Sequence, residues 1–505
     1  MKTYPLSSMA ATVACVLTMS SVTADEHFEL VKDIFEGTAS SSPLGLTSIG
    51  DKVYFAATGE DTGKELYVTN GEEDETMLVK DINPSGDSNP SEFVEFRNKV
   101  YFRADDGENG AELWMTDGTA DGTMLLKDIN EGSASSNPAD FVVLGNKLVF
   151  EATTEEYGRE LWVTDGTEDG TELLEDIQEG SNGSSPSLKA EYKIGDDILL
   201  FTANDGEQGN SLYSTDATPG GATLLKSSLD TDGAPLSMFV NRPLDDDVDE
   251  ILFAVGDELW TTDGTTSGTK RIREGVSIGS DSRMSSYKLD GKTLFFGREA
   301  EQDADSLWET DGTASGTKVL FSGLDTGITD VSRKGASTTV GISFGPVIGD
   351  KISLLTDNGV GVDVWVTDGD DIDRLISKTY DFVLNVKPSA DDEQAVFVMM
   401  DGNDMQLYTS DYTEDNTIKG PTFTDGISSG AGELVTLEDE DFAIFTLNSA
   451  DYGVELWKFT FPDLDAESPT ASPVSPNPPD FDSAPSARLG LATLTACIVG
   501  MLACV

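Results

Sequence analysis

Oxygen-bearing side chains crowd a set of short loops, and hard-cation binding is the first chemistry they suggest. Asp105-Asp106-Gly107-Glu108-Asn109-Gly110 and Asn204-Asp205-Gly206-Glu207-Gln208-Gly209 are the fullest examples. Glu60-Asp61-Thr62-Gly63 and Asp401-Gly402-Asn403-Asp404 are shorter versions. Carboxylate and amide oxygens spaced by glycines can wrap calcium. The candidate ligands are Asp105, Asp106, Glu108, Asn109, Asp205 and Glu207, and calcium is the cofactor they would take. No loop shows the EF-hand pattern that ends on a distal bidentate Glu. The same residues also read as hairpin turns in which Asp and Asn bond their own backbone.

Other chemistries are thinly supplied. The chain has one histidine, His27, and three cysteines, Cys15, Cys497 and Cys504. No Ser-His-Asp triad, Cys-His pair or multi-histidine zinc site is expected from that inventory. A carboxylate pair can hydrolyse a glycoside without histidine. With 93 Asp plus Glu, spacing singles out no pair, so no catalytic residue is assigned. Asn182-Gly183-Ser184 is the sole clean N-glycosylation acceptor, in a Ser/Gly loop expected to be exposed.

The elements that must position these loops repeat. Glu112-Leu113-Trp114-Met115-Thr116-Asp117-Gly118-Thr119 returns at Glu160-Leu161-Trp162, at Glu258-Leu259-Trp260 and at Ser306-Leu307-Trp308, each with its Thr-Asp-Gly-Thr. Weaker copies stand at Leu66-Tyr67, Leu212-Tyr213, Val364-Trp365, Leu407-Tyr408 and Leu456-Trp457. A recurring step near 48 residues means a repeat architecture. Each unit also carries a Leu-Val-Lys-Asp-Ile strand, a Gly/Ser/Pro loop, and a Lys-Val-Tyr-Phe-like strand after a tight turn. Four short strands per unit without helical periodicity predict a propeller blade.

The expected fold is all-β, a single closed β-propeller of about nine four-stranded blades, with eight as the alternative. The chain begins on a strand of the Leu-Val-Lys-Asp-Ile type, Phe28 to Ile34, and its last unit lacks one. The N-terminal strand is therefore expected to complete the last blade and remove two open edges. Lys318 to Asp363, with Gly341-Ile342-Ser343-Phe344-Gly345-Pro346, fits the template least and is the expected irregular unit. Leu of each Leu-Trp pair should enter one inter-blade layer and Trp the other, because neighbours alternate across a strand. The Asp-Gly-Thr turns are expected to be structural.

Charge narrows the partners. Against 93 acidic residues stand 32 Lys plus Arg, for a net charge of −61. Such a field repels nucleic acid and anionic membrane surfaces. It also strains the compact state unless ions screen it, and the Debye length falls from about 10 Å at 0.1 M to about 3 Å at 1 M salt.

The two ends differ from the repeats. Residues 1–24 read as a secretory signal peptide with cleavage after Ala24. Residues 25–461 are the propeller, 462–488 an acidic Pro/Ser-rich stalk, and 489–505 an uncharged hydrophobic tail. Small residues around Asp482 and Ser483 ahead of that tail suggest GPI attachment there. A short transmembrane anchor is the alternative. The cysteines lie in these terminal segments, so the mature chain is expected to fold without disulfides.

The Glu-Leu-Trp-x-Thr-Asp-Gly-Thr motif, followed by Gly-Thr-x-Leu-Leu-Lys-Asp-Ile as at Gly122 to Ile129, resembles the ELWxxDGT repeat family. The resemblance runs from about Phe28 to Trp457 and decays where Asp368-Gly369-Asp370 and Asp411-Tyr412-Thr413 replace the turn. It implies a secreted or surface propeller and no particular reaction. The functional expectation is a tethered, non-catalytic binding or adhesion propeller on the outer face of the cell, with cations as helpers. Its partner would be an extracellular glycan or protein, with membrane contact through the tail only and no nucleic acid. A carboxylate-based glycoside hydrolase and a structural wall or matrix component are the alternatives.

Overall fold

The structure, a computed structural model, describes residues 28–227, 236–238, 240–242, 250–277, 285–289, 292–299, 306–321, 343–357, 362–369, 371–380, 382–388, 395–401, 404–413, 417–423, 434–437, 442–449 and 452–460. The chain divides into Met1–Pro462 and Asp463–Val505, and all the described residues belong to the first unit. His27, Ala24, Asp482 and Ser483 lie outside them, as do the stalk and tail. Within them the protein is all-β, with one short 3-10 turn at Glu73–Glu75. No helix among the described residues is long and apolar enough to cross a membrane.

Among the described residues the strands form nine sheets, eight of them four-stranded. Sheet 1 is Leu44–Ile49, Lys52–Gly59, Gly63–Thr69 and Met77–Lys80 in simple antiparallel order. Sheet 2 is Ser91–Phe96, Lys99–Asp105, Ala111–Thr116 and Met124–Lys127. Sheet 3 is Ala139–Leu144, Lys147–Thr154, Gly158–Thr164 and Glu172–Glu175. Sheet 4 is Ser187–Ile194, Ile198–Asn204, Asn210–Thr215 and Thr223–Lys226. Sheet 5 is Leu236–Met238, Ile251–Val255, Glu258–Thr262 and Lys270–Glu274, and sheet 6 is built on Ser285–Leu289, Lys292–Glu299, Ser306–Thr310 and Lys318–Phe321. Sheets 7 and 8 repeat the order from Ser343 to Tyr380 and from Phe382 to Phe423.

Sheet 9 departs in one instructive way. Its strands are Leu434–Thr436, Phe442–Ser449 and Gly453–Thr460, and its fourth is Phe28–Lys32 from the start of the domain. Phe28 pairs with Phe459 and Leu30 with Trp457. The expected completion of the last sheet by the N-terminal strand is what the backbone pairing shows.

Second strands are buried almost end to end, as at Val53–Ala57. They read as apolar runs because a neighbouring sheet covers each face. The layers follow the Leu-Trp alternation. Leu66 and Trp114 share the core between sheets 1 and 2, and Leu113 and Trp162 that between sheets 2 and 3. Leu456 and Tyr67 share a core drawn from sheets 9 and 1, together with Val31, Phe55, Phe442 and Ile444. The register against the fourth strand slips by one residue at this step in sheets 1 to 7, as between Leu113 and Trp114. Such a bulge sharpens local twist.

First strands of successive sheets lie side by side, and Leu434–Thr436 of sheet 9 lies beside Leu44–Ile49 of sheet 1. Among the described residues the departure from the template falls outside the expected unit. Ser343–Ile348 forms an ordinary first strand of sheet 7, paired with Lys351–Asp357. Residues 322–342 lie outside the described residues. The departure is at sheets 5 and 6. Leu236–Met238 pairs within sheet 5, and Val240–Arg242 then crosses to pair parallel with Ser285–Leu289 of sheet 6. The template could not reveal this, because it assigns one undivided first strand to every unit.

Candidate functional site

The motif residues come first, because their geometry decides whether any are free for chemistry. The Glu before Leu-Trp or Leu-Tyr is fully buried at Glu65, Glu112, Glu160 and Glu455. Glu112 accepts from the backbone N of Ile129 at 2.9 Å, from Ser136 N at 2.6 Å and from Ser136 Oγ at 2.5 Å. Glu65 holds Ile82 and Ser88 in the same way, and Glu160 holds Gln178 and Ser184. Glu455 holds Ile34 N at 3.2 Å, Ser41 N at 2.9 Å and Ser41 Oγ at 2.6 Å. Each is a clasp between a third strand and the loop that leaves the fourth. Burial pushes all four carboxyls above the ordinary glutamate value, against the pull of the Ser and backbone donors. At Glu65, Glu112 and Glu455 a neighbouring Asp of the Lys-Asp-Ile or Val-Lys-Asp stretch adds to the rise.

The turn residues are used as fully. Thr116 and Thr123 share a buried hydroxyl pair at 2.7 Å, and Thr123 Oγ1 also donates to Thr119 O at 2.7 Å. Asp117 Oδ1 accepts from Thr119 N at 3.0 Å and Thr119 Oγ1 at 2.6 Å. Gly118 is left-handed at φ 87°, which glycine adopts without strain. A Cβ on Gly122 would overlap the Asp117 carboxylate. Sheets 3, 5 and 6 repeat the arrangement. The lysine of the fourth strand reaches the next sheet's turn: Lys80 Nζ donates to Thr123 O at 2.6 Å, and Lys32 Nζ to Thr76 O at 2.7 Å.

The predicted cation ligands fall in two places. Asp105, Asp106, Glu108 and Asn109 share one turn of sheet 2, while Asp205 and Glu207 sit in the equivalent turn of sheet 4. Asp106 Oδ1 accepts from Glu108 N at 2.9 Å and Asn109 N at 2.8 Å, and Oδ2 from Asn109 Nδ2 at 2.8 Å. Asp205 serves Glu207 N and Gln208 N in the same way. Burial works to raise the Asp106 carboxyl, but the Asn109 and Glu108 donors prevail and hold it below the ordinary value. These are self-bonded turns. Among the described residues no group of three or more acidic, His or Cys side chains is placed to hold a metal.

Asp33, Asp81, Asp128 and Asp176 recur one residue past the Lys32-type position, and each has a shielded Oδ1 without a hydrogen-bond partner. Spacing alone already places these four in register, and among the described residues none belongs to a group of three or more side chains placed to hold a metal. Asn182 is exposed, as expected of an acceptor, yet Ser184 of its tripeptide is buried in the Glu160 clasp.

With the motif consumed by the fold, the loops remain. Loops joining second to third strands touch those that leave fourth strands: Gly63 meets Gly86, and Gly107 meets Asn83. They make one face. Residues 33–43, 59–63, 81–90, 105–110, 128–138, 154–158, 176–186 and 204–209 of that face contain no Lys or Arg. The opposite face carries the Asp-Gly-Thr turns together with Lys52, Arg97, Lys99 and Lys147. There Arg97 donates to Asp165 O and Asn146 O, and after its threonine hydrogen bonds Asp117 is lowered further by Lys99.

No family model and no curated protein matches the chain. Among solved structures it is similar to a prolyl endopeptidase, at 11% identity and TM-score 0.40, over 71% of this chain and 52% of that one. The chain thus spans about half the length of that enzyme. It is also similar to the β-propeller domain of the Trilobed protease from Pyrococcus furiosus, at 13% identity and TM-score 0.32, over 65% of this chain and 96% of that one. A eukaryotic initiation factor matches at 11% identity and TM-score 0.43, over 69% and 78%. At such scores the likeness reaches no residue role.

Proposed function

We propose that this chain is a non-catalytic binding protein held outside the cell, built as one closed ring of nine blades whose loop face captures a protein partner rich in basic groups. Support for the ring is the core shared by sheets 9 and 1 and the Glu455 clasp across them. Gly71 meets the Phe442 ring as Gly118 meets Tyr54 and Gly166 meets Tyr101, so the join between sheets 9 and 1 is built like the joins between sheets 1 and 2 and between sheets 2 and 3. Blades need neighbours on both faces, and closure removes the last open ones.

The observation that carries the binding reading is the split of charge between faces. The loop face of sheets 1 to 4 offers carboxylates with no Lys or Arg in the loops, whereas on the turn face Asp117 has Lys99 beside it and Asp165 has Lys147 and Arg97. A cationic partner is steered to such a face at long range and released by salt. Cations act by screening the −61 net charge rather than through a built calcium site. Secretion, stalk and tail would tether the ring at the outer surface.

The test presents purified protein to panels of basic extracellular proteins, acidic ones and glycans. Saturable binding of the basic set, weakened by salt and by Asp61→Lys with Glu155→Lys and Glu207→Lys, is expected. Lys52→Glu on the other face should leave it unchanged. Glycan turnover, or loss of binding only on Lys52→Glu, would contradict the proposal. EDTA should leave both binding and melting temperature where they were.

A further inference from the structure

Asparagine followed by glycine invites intramolecular attack, because glycine puts no Cβ beside its own nitrogen. Three such pairs lie among the described residues: Asn70-Gly71, Asn109-Gly110 and Asn182-Gly183. Two are locked. Asn70 Oδ1 accepts from Glu72 N at 3.1 Å, and Gly71 N donates to Thr69 Oγ1 at 2.9 Å. Asn109 Nδ2 donates to Asp106 Oδ2 at 2.8 Å, and its backbone N to Asp106 Oδ1 at 2.8 Å. Asn182 is exposed, and neither its side chain nor the Gly183 N–H has a hydrogen-bond partner among the described residues.

We propose that Asn182 is a site of spontaneous deamidation and backbone isomerisation that weakens the seam between sheets 3 and 4. Gly183 is buried, so the reaction starts from a local opening in which its nitrogen gives up its proton to an entering water and attacks Asn182 Cγ. The N–Cγ bond forms, the Cγ–Nδ2 bond breaks, and Nδ2 takes a proton and leaves as ammonia. Solvent water then opens the cyclic imide at either carbonyl. One opening leaves aspartate; the other leaves isoaspartate, whose main chain is longer by a methylene.

The neighbourhood turns that lengthening into a structural event. Ser184 donates from N to Glu160 Oε1 at 2.7 Å and from Oγ to Glu160 Oε2 at 2.5 Å. Ser185 N donates to Arg159 O at 3.1 Å, and Asn204 N to Ser184 O at 3.0 Å. Gly183 is left-handed at φ 70°, and a Cβ there would overlap the Arg159 backbone. These contacts hold the chain on the C-terminal side of the added methylene, so it is accommodated by loosening the Glu160 clasp. Aspartate with a normal main chain leaves the clasp in place. A glycan on Asn182 substitutes the same nitrogen and would block the reaction.

The experiment uses the full chain from a host without N-glycosylation, aged folded and, separately, unfolded in urea, with peptide mass mapping and enzymatic labelling of isoaspartate. In the folded sample Asn182 should convert to a mixture of aspartate and isoaspartate. Asn70 and Asn109 should lag by about tenfold or more, since each must first break hydrogen bonds. In urea the three should convert at similar rates. Asn182 intact while either other site has converted would overturn the proposal, as would equal rates at all three in the folded protein. Asn182→Asp should melt as the parent does and the isoaspartate fraction earlier; equal melting of that fraction would overturn the effect on the seam.

Discussion

Replacing Glu455 by Ala removes the acceptor for three donors, at Ile34 N, Ser41 N and Ser41 Oγ. Glu455 is 0% exposed, so water reaches these donors only if the segment moves. An unpartnered buried donor costs about 1–3 kcal/mol, and losing a buried charge's own desolvation strain returns part of that. The net loss should be about 3–5 kcal/mol. Glu112→Ala removes an equivalent clasp and should cost a similar amount. The two differ in what they release. Glu455→Ala should expose residues 34–43 to protease, because the contact joins the last sheet to the N-terminal segment. Glu112→Ala should expose residues 129–137 instead. Glu258 holds the same repeat position but bonds Trp260 and Arg271 near the surface, so Glu258→Ala should cost about 0–1 kcal/mol. Denaturant midpoints and limited proteolysis read both quantities. The reasoning fails if Glu455→Ala unfolds with the parent, or if its N-terminal segment stays as protected as before.

Gly122→Ala should destabilise sheet 2 by about 1–3 kcal/mol, because its Cβ displaces the Asp117 carboxylate. In an Asp117→Ala background the same change should cost much less, and a double-mutant cycle measures the difference. Thr116→Val strips the buried pair with Thr123 and should lower stability by about 1–3 kcal/mol in denaturant titration. The pH dependence follows from the clasps. Their folded-state values lie above the ordinary 4.5, so the folded state holds protons that the unfolded state releases. That contribution is fully present below 4.5 and is lost as pH rises through the raised values. Changing Glu65, Glu112, Glu160 and Glu455 together to Gln should flatten melting temperature against pH above that point. In molar salt, which screens general repulsion, the contrast with the parent should persist.

The repeat was legible because every unit solves the same packing problem with the same letters. Leu113 and Trp114 part to opposite layers as strand alternation demands. The role of the motif Glu was not legible, since its partner sits in the loop beyond the next strand. A Ser recurring with it, as in Glu65 with Ser88 and Glu112 with Ser136, was the available signal. The crossing of Val240–Arg242 into sheet 6 left no mark in composition, because register and strand exchange are tertiary choices. At Asp105 to Asn109 the letters suit a cation and a turn alike. The hydrogen bonds onto Asp106, which close the turn, were not legible in those letters.

Closure of the last sheet by the N-terminal strand is tested most directly by a disulfide. Glu29 and Lys458 are cross-strand partners joined by an ion pair at 3.2 Å. Directly opposed antiparallel residues bring their Cβ atoms to about 4.5–5.5 Å, close to the span a disulfide bridges. With Cys15, Cys497 and Cys504 changed to Ser, Glu29→Cys with Lys458→Cys provides the chain's only thiols. Closure predicts a near-complete bond within each monomer, seen as a faster-migrating species under non-reducing electrophoresis. Free thiols in the folded protein, or bonds formed only between chains, would contradict it.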